Sequence, residues 1–207
     1  MKLIDAVKHK RGRPFEIPDC SRDDLPGFFK EMGFKTGAEI GVYKGEFSKK
    51  FCEAGFTFFA IDPWKYDKDY KDRHSQEKLD SFYEHTKKIL SPFKNCTIIR
   101  KTSMEAVCDF EDESLDFVYI DANHQLKYVI EDIVEWSKKV KKGGVISGHD
   151  YIYTNPKTPA GICHVIYAVN AYVNAYKIKN WYILGRYKPE KGERRDSWRS
   201  WMWIKEK

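Results

Sequence analysis

Short apolar runs alternate along the chain with longer stretches whose apolar residues recur at helical spacing. Ala38 to Val42 is a mostly apolar run closing on a glycine turn, and a helical pattern follows through Phe47, Phe51 and Cys52. Thr57 to Ile61 is a second run, stopped by Asp62-Pro63. Cys96 to Ile99 and Leu115 to Ile120 follow, the latter stopped by Asp121, and Val145-Ile146 runs into Gly148-His149-Asp150. Unbroken runs of this length suit parallel strands covered by helices on both faces. The intervening stretches predict helices over Ser75 to Leu90, which Pro92 helps to end, and Leu126 to Val140, with Lys138-Lys139 near its end.

Strands that alternate with helices build a doubly wound α/β sheet, expected here to be mostly parallel and seven-stranded. After a helical stretch from Gly161 to about Tyr176, two strand-like runs, Trp181 to Leu184 and Ser197 to Ile204, break the alternation. They predict an antiparallel C-terminal hairpin at the sheet edge. The 207 residues fit one domain, with residues 1–35 as an N-terminal helical cap and 36–207 as the core.

Composition narrows the setting. Hydrophobic residues make up 42% and charged residues 33%, as in ordinary globular chains, and no apolar run is long enough to cross a bilayer. Met1 to Pro14 is basic but has no apolar segment of the secretory kind. The five cysteines are scattered, with no Cys-x-x-Cys pair, so reduced thiols and a cytoplasmic setting are expected. A net charge of +6 raises nucleic acid as a partner, yet most basic residues are interleaved with acids, as in Lys65 to Arg73. Nucleic acid is therefore disfavoured, no membrane is expected, and a homodimer stays open.

The chemistry lies at the strand ends. Glu39, Asp62, Asp121 and the pair His149-Asp150 fall within or just after four of the expected strands, where ligands of open α/β sheets bind. Carboxylates gathered there repel one another unless a partner is bound. Gly41 and Gly45 bracket a strand-to-helix turn, but Glu39 stands where a dinucleotide fingerprint would place its first glycine. A carboxylate opposes pyrophosphate and favours an ammonium or sulfonium. Asp62, 21 residues beyond Gly41, is placed to accept hydrogen bonds from a ribose diol.

At these residues the sequence resembles the class I S-adenosylmethionine-dependent methyltransferases, whose acid-x-Gly-x-x-x-Gly motif is matched by Glu39-Ile40-Gly41-Val42-Tyr43-Lys44-Gly45. The resemblance implies a Rossmann-like fold and S-adenosylmethionine as cofactor. It puts the ribose-binding acid on Asp62 and the adenine-contacting segment on Thr102 to Glu105, with Ser103 and Met104 as contacts. Those two residues read nearly as well as a helix cap and a core residue. The segments from Asp121 to His124 and from Gly143 to Tyr151 resemble the small-molecule O-methyltransferases of the macrocin and catechol type. That likeness covers roughly Thr36 to Tyr176. It implies a divalent cation on Asp121, His149 and Asp150, although the family usually has a carboxylate where this chain has His149.

Oxygen donors with one imidazole suit Mg or Mn, and less well Fe or Zn. Such a cation lowers the pKa of a substrate hydroxyl and orients it, with Asp121 also facing the cofactor. His124, three residues past Asp121, is the candidate base because imidazole titrates near neutral pH. Trp64, Tyr66 and Tyr70, and the segment from Tyr151 to Pro159, could shape a pocket or serve as exposed loops. The reading is methyl transfer to a hydroxyl of a small molecule such as a sugar, phenol or secondary metabolite. The alternatives are a nucleic-acid (RNA) methyltransferase, disfavoured by Asp121-Ala122-Asn123-His124 where an amino-group methylase carries Asn/Asp-Pro-Pro-Tyr, and a dinucleotide-binding oxidoreductase or a non-catalytic binding module.

Overall fold

The computed structural model describes residues 2–67, 74–153, 162–194 and 196–206. Among the described residues, eight strands form one sheet: β1 (Phe15–Ile17), β2 (Thr36–Ile40), β3 (Thr57–Ile61), β4 (Cys96–Ile99), β5 (Leu115–Ile120), β6 (Val140–Gly148), β7 (Trp181–Leu184) and β8 (Trp201–Ile204). Their order is β1-β7-β8-β6-β5-β2-β3-β4. Only β8 runs against its neighbours, antiparallel to both β6 and β7.

The mostly parallel α/β sheet and the antiparallel β7–β8 hairpin are as the sequence predicts; two details differ. The hairpin does not form the edge, because β8 inserts between β6 and β7. The edge is taken by an eighth strand, β1, parallel to β7 through Phe15↔Tyr182 to Ile17↔Leu184. It comes from the segment expected only as a helical cap. Three residues are too few to show an alternating pattern, so the sequence signal was absent.

The continuous apolar runs are explained by two covered faces. Along β5, Phe117 and Tyr119 belong to one core cluster, and Leu115, Val118 and Ile120 to the other. Helices α1 (Leu3–His9), α2 (Leu25–Glu31), α3 (Glu46–Glu53) and α4 (Gln76–Leu90) bury apolar residues in the first cluster. Rings dominate there: Phe29 lies 4.3 Å from Phe117, and Phe51 stacks 4.8 Å from Phe58. Helices α5 (Ser103–Ala106), α6 (Leu126–Lys139) and α7 (Val165–Ala175) contribute to the second cluster. In α6, Val129, Ile133 and Trp136 are buried at helical spacing.

Caps set where two helices begin. Ser75 accepts a hydrogen bond from the Lys78 amide and starts α4. Thr102, not Ser103, caps α5, in a reciprocal box with Glu105. No helix among the described residues is long and apolar enough to cross a membrane.

Candidate active site

The strand order reverses between β2 and β5: β3 and β4 follow β2 on one side, and β6 follows β5 on the other. Above the carboxyl ends of these strands opens a cleft of about 680 Å³, lined by Glu39, Gly41, Asp62, Ser103, Met104, Asp121 and His124 among others. That volume suits a nucleoside-sized ligand together with part of a substrate. Gly45, His149 and Asp150 do not line it; Gly45 supports the turn from behind, and the other two stand beside Asp121 and His124.

The glycine turn is held in place by backbone geometry and by Asp62. Gly41 has φ of +90°, and a Cβ there would lie 2.2 Å from the Asp121 carbonyl oxygen. Gly45, at φ +82°, begins α3 where a Cβ would meet Thr86 of α4. The Asp62 carboxylate accepts hydrogen bonds from the amides of Val42 and Tyr43, each at 2.9 Å, and from Trp64 at 2.7 Å. It therefore fixes the turn as well as facing the cleft. Trp64 is buried and donates its indole N–H to the Tyr43 carbonyl at 2.7 Å, so its structural role is the clearer one. Tyr66 is exposed, whereas Tyr70 and residues 154–159 lie outside the described residues.

Glu39 is 2% exposed and accepts a hydrogen bond from Ser48 of α3. Burial pushes its pKa well above the carboxylate range; Asp121 and Asp62 add to the rise, while Ser48 and Arg22 oppose it. A cationic ligand would stabilise its ionised form.

At the other end, Ser103 donates to Asp132 of α6 and accepts from the Trp136 indole at 2.8 Å. Burial raises the Asp132 pKa to about 7, partly offset by Ser103. Asp132 was not singled out from sequence. The available signal was an acid inside the apolar stripe of Val129, Ile133 and Trp136.

The remaining acids and imidazoles converge at the ends of β5 and β6. His124 Nε2 lies 2.9 Å from Asp150 Oδ2 and 3.5 Å from Asp121 Oδ1. Neither contact has hydrogen-bond alignment, so the buried nitrogen has ionic neighbours but no hydrogen-bond partner. One donor atom each from Asp121, His124 and Asp150 falls within a 4.8 Å span. His149, expected in this set, stands beside it with Nδ1 3.4 Å from Asp150 and 3.7 Å from Asp121.

Burial disfavours the His124 imidazolium, but Asp121 and Asp150 outweigh it and raise its pKa well above the ordinary value. Burial acts on Asp150 in the opposite sense to its two histidines, and the histidines prevail and lower its pKa. The two carboxylates thus favour the imidazolium form of His124 over the neutral form that a general base needs. Two carboxylates and an imidazole nitrogen without a hydrogen-bond partner are a donor set that fits a divalent cation, which would displace the imidazolium proton.

Arg22, also unanticipated, reaches into the cleft from the 3₁₀ turn Arg22–Asp24 that precedes α2. Its Nη1 donates to Asp121 Oδ2 at 3.2 Å, and its guanidinium stands 4.9 Å from the Phe47 ring centre.

A family profile described as a methyltransferase domain matches residues 38–151, more than half of the chain. Among curated proteins, y4gI of Sinorhizobium fredii, described as uncharacterized, is 27% identical over 118 residues; the match covers 54% of this chain but only 12% of that relative. The O-methyltransferase TomG from Streptomyces achromogenes, involved in tomaymycin synthesis and solved with S-adenosylmethionine, superposes with a TM-score of 0.62. It is 14% identical, over 89% of this chain and 79% of its own. An rRNA methylase from Streptococcus thermophilus superposes with a TM-score of 0.61 at 13% identity, over 88% of this chain and 95% of its own. At these identities the two structures share the fold.

Proposed function

This chain belongs to the methyltransferase-domain family, and we propose that it transfers a methyl group from S-adenosylmethionine to a hydroxyl oxygen of a small molecule, assisted by a divalent cation. The observation that carries the proposal is the grouping of Asp121, His124 and Asp150 beside the cleft that Glu39, Asp62 and Ser103 line. In this reading Asp62 would hold the ribose, Ser103 with Asp132 would stand at the adenine, and Glu39 would stand toward the methionyl end.

Asp121, His124 and Asp150 would hold the cation, with His149 steadying the carboxylates from the side. A cation bound there would supply Lewis acidity that lowers the pKa of the acceptor hydroxyl. The chain itself aligns oxygen, methyl and sulfur, a contribution of up to about 7–11 kcal/mol in well-oriented reactions. His124 can take a proton only after losing the one that Asp121 and Asp150 stabilise. We therefore assign it to the cation set first, and to base chemistry only in a state where that proton has gone.

The many acids lining the cleft weigh against a polyanionic acceptor. Supply of S-adenosylmethionine and a panel of phenols and sugars should yield methyl ethers. That activity should fall after EDTA treatment and in Asp150→Ala. Methyl transfer that survives both changes would remove the cation from the proposal, and transfer to RNA alone would replace the acceptor class.

A further inference from the structure

We propose that Arg22 reads the carboxylate of the cofactor's methionyl end, which makes the N-terminal segment part of the cofactor site. The inference rests on the cofactor proposed above and extends it to a residue outside the matched span of 38–151.

S-adenosylmethionine carries a sulfonium, an ammonium and a carboxylate. The two cationic groups suit the end of the cleft between Glu39 and Asp121. The carboxylate does not, unless a positive side chain stands at the same end. Among the described lining residues, the only lysine or arginine besides Arg22 is Lys65, which lies just past Asp62. Arg22 contacts Asp121 and the ring of Phe47, and its charge is felt by Glu39. It is thus the one guanidinium among the described lining residues, and it stands beside Asp121 at the methionyl end.

The side chain is held yet accessible. Ser21 and Asp24 form a capping box around the 3₁₀ turn, and Arg194 Nη1 donates to both, at 2.9 Å each. Lys50 of α3 pairs with Asp23 at 2.7 Å. The turn is thus tied to the C-terminal region and to the helix that follows the glycine turn. The Arg22 side chain keeps 35% of its surface exposed, and a guanidinium offers five N–H donors in a fork that matches a carboxylate. A carboxylate arriving beside Asp121 can share that fork or draw it away.

The test compares the affinities of the full chain for S-adenosylmethionine and for its decarboxylated analogue, by calorimetry. Wild type should prefer the carboxylated ligand by about 10- to 100-fold, the usual effect of one charge-assisted hydrogen-bonded pair. Arg22→Met should reduce that ratio to about threefold or less while leaving the affinity for the decarboxylated ligand nearly unchanged, and Arg22→Lys should restore part of the ratio. A purely structural role would weaken both ligands together and leave the ratio intact, which overturns the proposal. Equal binding of both ligands by wild type overturns it alone. Binding of neither overturns the cofactor reading and takes this inference with it.

Discussion

Replacing Gly41 with alanine should separate the two halves of the cleft, and Gly33 provides the control. Both glycines have positive φ, +90° and +78° respectively. A left-handed backbone costs a residue bearing a Cβ about 1–2 kcal/mol, offset by about 0.4–1 kcal/mol through the stiffer unfolded chain. At Gly33 the added methyl meets nothing within 4 Å, so Gly33→Ala should cost roughly 1 kcal/mol or less. At Gly41 it falls 2.2 Å from the Asp121 carbonyl oxygen, 2.5 Å from the Asp121 carbonyl carbon and 2.6 Å from the Ala122 Cα. These are backbone atoms that no rotamer change can move.

The Asp121 amide also donates to the Ile40 carbonyl at 2.7 Å, so relieving the clash means parting the ends of β2 and β5. Overpacking of this kind adds about 1–3 kcal/mol, for a net loss of about 2–4 kcal/mol. Because Glu39 lies on β2 and Asp121 directly follows β5, the two strands being parted, affinity for S-adenosylhomocysteine should fall at least about tenfold even where the variant is folded. Urea unfolding and calorimetry on both variants would measure this. If Gly41→Ala loses no more stability than Gly33→Ala and binds as wild type does, the geometry ascribed to the turn is wrong.

Other consequences are testable with the same two methods. His124→Ala leaves Asp150, 5% exposed, with His149 as its remaining nearby imidazole, so stability at pH 7 should fall by about 2–4 kcal/mol in urea unfolding. Asp132 has a folded pKa of about 7, above its unfolded value, so the native state holds its proton longer and stability declines as pH rises between the two. Asp132→Asn removes that decline while an amide oxygen can still accept from Ser103; relative to wild type it should gain on the order of 2 kcal/mol between pH 5 and pH 8. Ser103→Val leaves the Trp136 indole N–H and Asp132 without the hydroxyl between them, and should cost about 1–3 kcal/mol in unfolding as well as weakening S-adenosylhomocysteine binding.

The sequence displayed what repeats and hid what depends on single long-range contacts. The runs that became β2, β3 and β5 were visible because these strands are largely buried and single polar residues such as Glu39 and Asp116 leave their apolar runs recognisable, while β4, only half-buried, was marked by Ile98-Ile99. α6 was found to within one residue because Val129, Ile133 and Trp136 mark its inner stripe. The glycine turn, Asp62 and Asp121 were visible because each follows a run directly.

Arg22 was hidden for a physical reason. Nothing near it in the sequence indicates that a 3₁₀ turn tied down by Arg194 will aim its side chain at Asp121, 99 positions away. β1 stayed hidden because its pairing with β7 joins opposite ends of the chain. The imidazole within the candidate cation group also differs from the one the family resemblance implied: the resemblance put His149 beside Asp150, whereas the turn that precedes α6 brings His124 near both carboxylates.

The most direct test of the account is a calorimetric titration of the full chain with S-adenosylhomocysteine, repeated on Asp62→Ala. The account predicts saturable binding by wild type at one site. In Asp62→Ala it predicts affinity at least about 10-fold weaker, because ligand hydrogen bonds to a charged group contribute about 1.5–3 kcal/mol and the Val42 and Tyr43 amides also lose their acceptor. Absence of binding by wild type, or binding that Asp62→Ala leaves unchanged, would contradict it.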